Sequence, residues 1–371
     1  MKIGMVCYPT YGGSGIVATE LGMKLAERGH EVHFISYSQP MRLDNFQERI
    51  FFHEVDSTNY PLFEFNLYTL NLAGKIIDVV KYEELDVLHV HYAIPHAVSG
   101  YLAKQILQQN KPIRLVTTLH GTDITLVGME PSFLPIVKFS LENSDAVTAV
   151  SGYLKEKTLQ NFNIKNNIKV IHNFVDTKVY KRLPCIQIRK RLAEEDEKIL
   201  MHISNFRPVK RVCDCLRIFV EVHKEIKSKL ILIGDGPDRH EAEELSKRLG
   251  IEKNVKFLGK QNALVELLSC ADLFLLPSQS ESFGLSALEA MSCGVPVIGS
   301  NIGGIPELID QGETGYVAEF GDTERMARYA KELLGNPKKW NKFSENARQR
   351  SVEMFDIELI VPKYEEVYLE I

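Results

Sequence analysis

Two glutamates stand eight positions apart in the stretch "SQSESFGLSALEAMSCGVPVIGSNIGGIPELI", Glu281 just before a short apolar segment and Glu289 inside it. The run "FGLSALEAMSC" predicts a helix stopped by Gly294 and Pro296. Its start is open: Ser280 or Ser282 could cap it, or Ser286 and Glu289 could form a capping box if it begins later. Eight helical residues rise about 12 Å at about 1.5 Å each, too far for the two carboxylates to share a proton, yet right for gripping the two ends of an extended ligand. A carboxylate accepts two hydrogen bonds from a cis diol. The amides of Phe283, Gly284 and Leu285, at or near the helix start, can meet phosphate oxygens between the glutamates. The combination suits a sugar joined to a nucleoside through a diphosphate, ribose on one glutamate and hexose hydroxyls on the other.

Other segments supply the charges such a ligand needs. "NFRPVKR" gathers Arg207, Lys210 and Arg211 after an expected strand, donors suited to a pyrophosphate. No DxD or DDxD carboxylate pair occurs, so these cations, rather than a divalent metal, are expected to neutralise the phosphates. In "YGGSGIVATELGMKLAERG", Gly12, Gly13 and Gly15 fall at a strand-to-helix turn where bare backbone can approach an anion. The spacing is GGxG rather than GxGxxG, "GDGPDR" lacks the third glycine, and "EVHFISYSQ" ends without a ribose-binding acid, so a nicotinamide dehydrogenase is the lesser reading. Ser14, Tyr92 and Thr122 put hydroxyls at strand ends of the first half, where a ligand could meet them, while His89, His91 and His96 read as structural.

The elements that would position these residues are visible as alternation. "KIGMVCY", "EVHFISY", "DVLHVHY", "IRLVTTLH", "DAVTAVS" and "IKVIHNF" in the first half, then "KILMHIS", "KLILIGDG", "NVKFLG", "DLFLLPS" and "VPVIGS", are short apolar runs separated by helical patterns. That pattern argues for parallel strands with crossover helices, an α/β chain of two doubly wound domains whose strand ends face a central cleft. The 371 residues suit two cores, and the charged, proline-bearing run "FVDTKVYKRLPCIQIRKRLAEEDEK" is the expected boundary. A net charge of -5 gives no global reason to bind nucleic acid or an anionic membrane. The amino-terminal apolar run is too short for a signal peptide and no stretch could span a bilayer, so a cytoplasmic protein is expected. The six scattered cysteines read as reduced structural thiols rather than a metal site.

Glu281 and Glu289 stand in the ExxxxxxxE pattern of the retaining glycosyltransferases of family 4, and the block "ESFGLSALEAMSCGVPVIGSNIGGIPELI" resembles that family's donor site throughout. The glycine-rich loop, "TTLHGTD" and the basic loop also match, so the resemblance covers essentially the whole chain. It implies the GT-B fold: an acceptor-side Rossmann-like domain over 1–175, a linker and donor domain over 176–355, and a carboxyl-terminal helix near 356–371 crossing back onto the first domain. It implies that Glu289 binds the donor ribose, Glu281 the transferred sugar, Arg207 and Lys210 the diphosphate, Gly15 a phosphate through its amide, and His120 the reacting sugar. Where the family commonly has an arginine about five residues before the lysine, this chain has Asn205, leaving Arg207 to act from a shifted position.

Within the family, "CYPTYGGSGIVATELG", "HVHYAIPHA", "LHGTDITLVG" and "SNFRPVKR" are similar to the branch that glycosylates L-malate in bacillithiol biosynthesis. That likeness implies UDP-N-acetylglucosamine as donor, L-malate as acceptor with the hydroxyls of Ser14, Tyr92 and Thr122 as candidates to meet it, UDP as product, front-face displacement with retention, no metal or other cofactor, and compatibility with a homo-oligomer. The alternatives are a family 4 enzyme with another small acceptor, a UDP-sugar 2-epimerase, or a nucleotide-sugar sensor without turnover.

Overall fold

The computed structural model describes residues 1–10, 12–43, 46–56 and 67–371. The chain divides into two compact units, Met1–Asn173 together with Ile357–Ile371, and Phe174–Asp356. In the first unit the strands are β1 (Lys2–Val6), β2 (Glu31–Ser36), β3 (Ile50–Glu54), β4 (Val87–His91), β5 (Arg114–Leu119), β6 (Ala146–Ala149) and β7 (Ile168–Val170). In the second they are β8 (Lys198–Ile203), β9 (Ser228–Ile233), β10 (Val255–Gly259), β11 (Leu273–Leu276), β12 (Val297–Ser300) and β13 (Gly315–Ala318). Their spatial orders are β3-β2-β1-β4-β5-β6-β7 and β10-β9-β8-β11-β12-β13.

Every pairing within both sheets is parallel. Helices cover both faces of such a sheet, which is why inner strands such as β4 and β11 are buried at every residue and read as unbroken apolar runs. The sequence pattern misses two edge strands. The "IFFHE" of β3 is half-exposed, and the "GYVA" of β13 is four residues long, so neither has a clear apolar run. In each sheet the strand order reverses once, between β1 and β4 and between β8 and β11. Chains leaving the carboxyl ends there diverge to opposite faces and open a crevice, the usual place for a ligand in a doubly wound sheet.

The charged run expected as a boundary is bound tightly to the second unit. Arg182 donates to the carbonyls of Ser269 at 3.2 Å and Ala271 at 2.7 Å, and Arg189 donates to Cys270 O at 2.6 Å and Asp272 Oδ2 at 2.9 Å. These guanidinium groups cap the carbonyl end of the helix Leu264–Ser269, where partial negative charge collects.

The final helix, Ile357–Glu370, packs in the first unit. Tyr364 and Tyr368 are fully buried, and the Tyr368 hydroxyl meets His89 Nδ1 at 2.7 Å, while His89 Nε2 meets Thr118 Oγ1 at 2.6 Å. At the half-buried margin of this helix Glu358 pairs with Lys24 at 2.8 Å and Glu365 with Arg28 at 2.8 Å. Pairs that remain in reach of water add modestly, and the fully buried face contributes more to holding the helix. Tyr368→Phe leaves a buried imidazole nitrogen without its partner and should cost the first unit about 1–3 kcal/mol. Hydrogen exchange at β4 and β5 measures this; protection equal to that of the unaltered protein would show that the hydroxyl contributes nothing.

Candidate functional site

In the second unit two loops leave the sheet at the strand-order reversal, residues 204–211 after β8 and 277–284 after β11. The first makes a tight turn at Pro208–Lys210, flanked by Phe206 and Arg211 in left-handed conformations, φ 39° and 54°. The second is tied to it through Gln279 N, which donates to Val209 O at 2.8 Å. This backbone bond brings Lys210 Nζ to within 2.5 Å of Glu281 Oε2, and Ser278 Oγ lies 3.5 Å from the same oxygen.

Glycines make this approach possible. A Cβ on Gly234 would fall 1.7 Å from Ser204 O, and one on Gly236 2.0 Å from Asn205 O, so "GDGPDR" serves as a flat support for the basic loop rather than as a dinucleotide fingerprint. Gly303 and Gly304 do the same beneath the acidic loop: their Cβ atoms would stand 1.9 Å from Glu281 O and 2.3 Å from Ser282 O. Gly304 N also donates to Glu281 O at 3.0 Å.

The helix that follows runs Leu285–Ser292. Neither Ser280, Ser282 nor a Ser286–Glu289 box caps it, because the N-cap is Gly284 at φ 101° and no side chain accepts there. Its ladder begins with Ala287 and Leu288 donating to Gly284 O, both at 3.0 Å, so the helix does not use the earlier amides that include Leu285. The Phe283 ring is buried, 5.4 Å from the Phe355 ring, and anchors the turn. Glu289 lies mid-helix with 4% of its surface exposed, and the Glu281 side chain is also largely buried.

The three cations of "NFRPVKR" separate. Lys210 is held on Glu281, Arg211 donates to Asp214 Oδ2 at 2.7 Å and lies over the Phe320 ring at 5.5 Å, and Arg207 is exposed. Of the three, Lys210 is therefore the cation fixed beside the acidic loop, while Arg207 stands in solvent.

In the first unit the corresponding reversal gathers the polar residues of three loops. Gly15 is buried on the first turn of the helix Gly13–Glu27, and a Cβ there would stand 2.5 Å from Tyr8 O and 2.7 Å from Thr10 O, so only glycine fits. Tyr92, at φ 98°, donates its hydroxyl to Ser14 Oγ at 2.7 Å, and the Thr122 side chain lies beside the same phenol. The three acceptor candidates thus converge on one hydroxyl.

His120, half-buried, meets His91 Nδ1 through Nε2 at 2.8 Å, and His91 Nε2 meets Met5 Sδ at 3.0 Å. His96 binds His91 O at 2.5 Å and the Tyr68 hydroxyl at 3.1 Å. Asp123, two positions past the glycine of "HGTD", was not singled out in the sequence. Its buried carboxylate accepts from Ala93 N at 2.8 Å and Gly121 N at 3.0 Å, locking the Tyr92 turn to the His120 turn. Its type was readable, but its backbone partners were not.

Comparison with known proteins decides the family. The model for "Glycosyltransferase Family 4" matches residues 11–179, and the model for "Glycosyl transferases group 1" matches residues 186–350. An N-acetyl-alpha-D-glucosaminyl L-malate synthase of Bacillus anthracis is 48% identical over 372 residues, covering 100% of this chain and 97% of that protein. The chain belongs to glycosyltransferase family 4. A D-inositol 3-phosphate glycosyltransferase of Thermobispora bispora is 26% identical, covering 81% of this chain and 74% of that one.

Among solved structures, Anabaena HepE in complex with UDP and glucose superposes with TM-score 0.84 at 22% identity, covering 100% of both chains. Sucrose-phosphate synthase of Thermosynechococcus elongatus gives 0.82 at 22%, covering 100% of this chain and 98% of that one. The fold is GT-B, built of two Rossmann-like units. No helix among the described residues is long and apolar enough to cross a membrane.

The buried imidazoles of His89, His91 and His96 and the half-buried one of His120 make the first unit of this glycosyltransferase sensitive to acid. Burial lowers His89 and His120 to about 3 and His96 to about 4, and it holds His91 well below the ordinary value. The unfolded chain therefore takes up these protons first, and the stability present above pH 6.5 is lost as pH falls toward 4 and 3. Asp123 opposes this: burial pushes its carboxyl up to about 6, so its protonation favours the folded state between about pH 6 and 4. Four imidazoles outweigh one carboxyl. Thermal unfolding of the first unit should shift to lower temperature from pH 7 to pH 5, each fully displaced group contributing about 1.4 kcal/mol per pH unit. A flat profile over that range would reject the assignment of neutral buried histidines.

Proposed function

We propose that this glycosyltransferase moves N-acetylglucosamine from UDP-N-acetylglucosamine to the hydroxyl of L-malate, with retention at the anomeric carbon and release of UDP. The observation that carries the reading is the 48% identity, over the whole chain, to a protein named as that synthase. The bond from the sugar's anomeric carbon to the diphosphate oxygen breaks, and the malate oxygen bonds to the same face. The malate hydroxyl proton passes to the departing phosphate.

Negative charge grows on the diphosphate as the bond breaks, and groups already in place stabilise it without reorganising. Lys210 has that character, because Glu281 and the glycine-supported loop fix its ammonium. In this reading Arg207 joins it, and the amides of Phe283, Gly284 and Leu285 meet phosphate oxygens. Glu281 takes sugar hydroxyls and Glu289 the ribose diol. In the first unit, Gly15 offers its amide to a phosphate and His120, kept neutral, offers a hydrogen bond to the reacting sugar. Ser14, Tyr92 and Thr122 present hydroxyls for the acceptor. These cations and amides supply what a metal would otherwise supply, and the reaction is read as metal-independent and cytoplasmic.

The test is UDP release and product mass with UDP-N-acetylglucosamine and a panel of L-malate, other hydroxy acids, inositols and sugars, with and without EDTA. L-malate should be glycosylated at an undiminished rate in EDTA. Turnover with another acceptor but not L-malate would retract the acceptor and leave the family intact; conversion of the donor without any acceptor would favour an epimerase. Lys210→Ala should lower kcat about 10²–10³-fold, as loss of one preorganised donor does elsewhere. Glu289→Ala should act mainly on KM for the donor, raising it tenfold or more for about 1.4 kcal/mol of lost ribose binding; an unchanged KM would place the ribose elsewhere.

A further inference from the structure

The first unit holds a second set of convergent side chains, on strands and a helix that carry none of the residues assigned to transfer. His33 on β2 and His53 on β3 lie on neighbouring strands, His33 opposite Phe51 and His53 two residues further on, so both side chains share one face of the sheet. Glu83 ends the helix Tyr68–Glu83, whose last turn reaches that face. One ligand atom from each residue lies within 4.8 Å of the other two.

The orientation of the rings is more telling than their proximity. His33 Nδ1 and His53 Nε2 point at each other across 2.9 Å, while the other His33 nitrogen, Nε2, meets Glu31 Oε1 at 3.1 Å. His33 is fully buried. A carboxylate on the outer nitrogen places the proton there and leaves the inner nitrogen as a lone pair, the arrangement that orients metal-bound imidazoles. Glu31 is itself held by Lys2 Nζ at 3.2 Å, and the same ammonium donates to Glu83 O at 2.9 Å, so one cation fixes the outer carboxylate and the helix end together.

We propose that His33, His53 and Glu83 bind a divalent transition-metal ion of the zinc type, with Glu31 as the outer-shell carboxylate. Two imidazoles and a carboxylate suit zinc and exclude magnesium or calcium as preferred occupants. Bonds of about 2.0–2.1 Å in a tetrahedron separate ligand atoms by about 3.3 Å, so the imidazoles part by a few tenths of an ångström and each tilts by about 35° to aim at an ion off the line between their nitrogens, while the Glu83 carboxylate swings inward. The His53 proton moves from Nε2 to Nδ1, both inner lone pairs face the ion, and water completes the fourth position. The ion fastens the edge strand β3 to β2 and to the helix end. The ligands come from β2, β3 and the end of the helix Tyr68–Glu83, whereas Ser14, Tyr92 and His120 stand on the helix Gly13–Glu27 and on the loops after β4 and β5, so the cluster uses none of the elements that carry those residues. It is a structural clamp, distinct from the transfer chemistry and independent of the acceptor.

The experiment titrates chelator-treated, full-length protein with Zn²⁺ by calorimetry and with Co²⁺ by visible absorption, alongside thermal unfolding. One equivalent should bind, Co²⁺ should give the intense bands of a tetrahedral site, and the unfolding temperature should rise. Glu83→Gln, which keeps the side chain's shape, and His53→Ala should each abolish the Co²⁺ bands and the thermal shift. Glu31→Gln should weaken Zn²⁺ binding about 10–100-fold while keeping the stoichiometry, as outer-shell losses do. Turnover should be the same with and without Zn²⁺ in every variant. Absence of saturable binding, or equal binding in the unaltered protein and Glu83→Gln, would overturn the proposal and leave a hydrogen-bonded histidine pair.

Discussion

Carbonyl oxygens in the second unit sit where four glycines leave no room for a side chain. Gly234 and Gly236 press against the basic loop, Gly303 and Gly304 against the acidic one, each with a Cβ position within about 2.3 Å of a main-chain oxygen. The contact between Lys210 and Glu281 is therefore set by backbone against backbone, with side chains only completing it. An ion pair held this way loses little conformational entropy when a ligand arrives, which is the condition for preorganised charge to act on a transition state. The same constraint explains why a glycine-rich turn follows the glutamates in sequence: it is the floor beneath Glu281.

The two units share a strand order at their centres and use it differently. At the reversal in the first unit the loops are joined by side chains: Tyr92 to Ser14, and Asp123 to the amides of Ala93 and Gly121. A chain of histidines behind them, kept neutral by burial, supplies hydrogen bonds without a buried charge to compensate. One unit thus presents hydroxyls and uncharged rings, the other a carboxylate and an ammonium.

The interior strands were legible because a parallel sheet covered on both faces writes itself as apolar runs such as "VLHVH" and "LFLL". The edges β3 and β13 were not, one through exposure and the other through brevity. The glutamate helix was recognised with its start unsettled, because the capping rules favour serine whereas Gly284 ends the turn by adopting a left-handed conformation. Lys210 and Glu281 could be chosen by type, but 71 positions separate them and only the strand order brings them together. Asp123 escaped notice because its partners are main-chain amides, and His33, His53 and Glu83 because no short spacing marks ligands drawn from two strands and a helix end.

The return of the helix Ile357–Glu370 to the first unit bears on the order in which the protein is made. His89 and Thr118 emerge from the ribosome early, but Tyr368, which completes their buried network, is made 250 residues after Thr118. By then every residue of the second unit has been synthesised. The half of the chain translated first is consequently the half that finishes last, and its open core must be kept from aggregating while its neighbour closes.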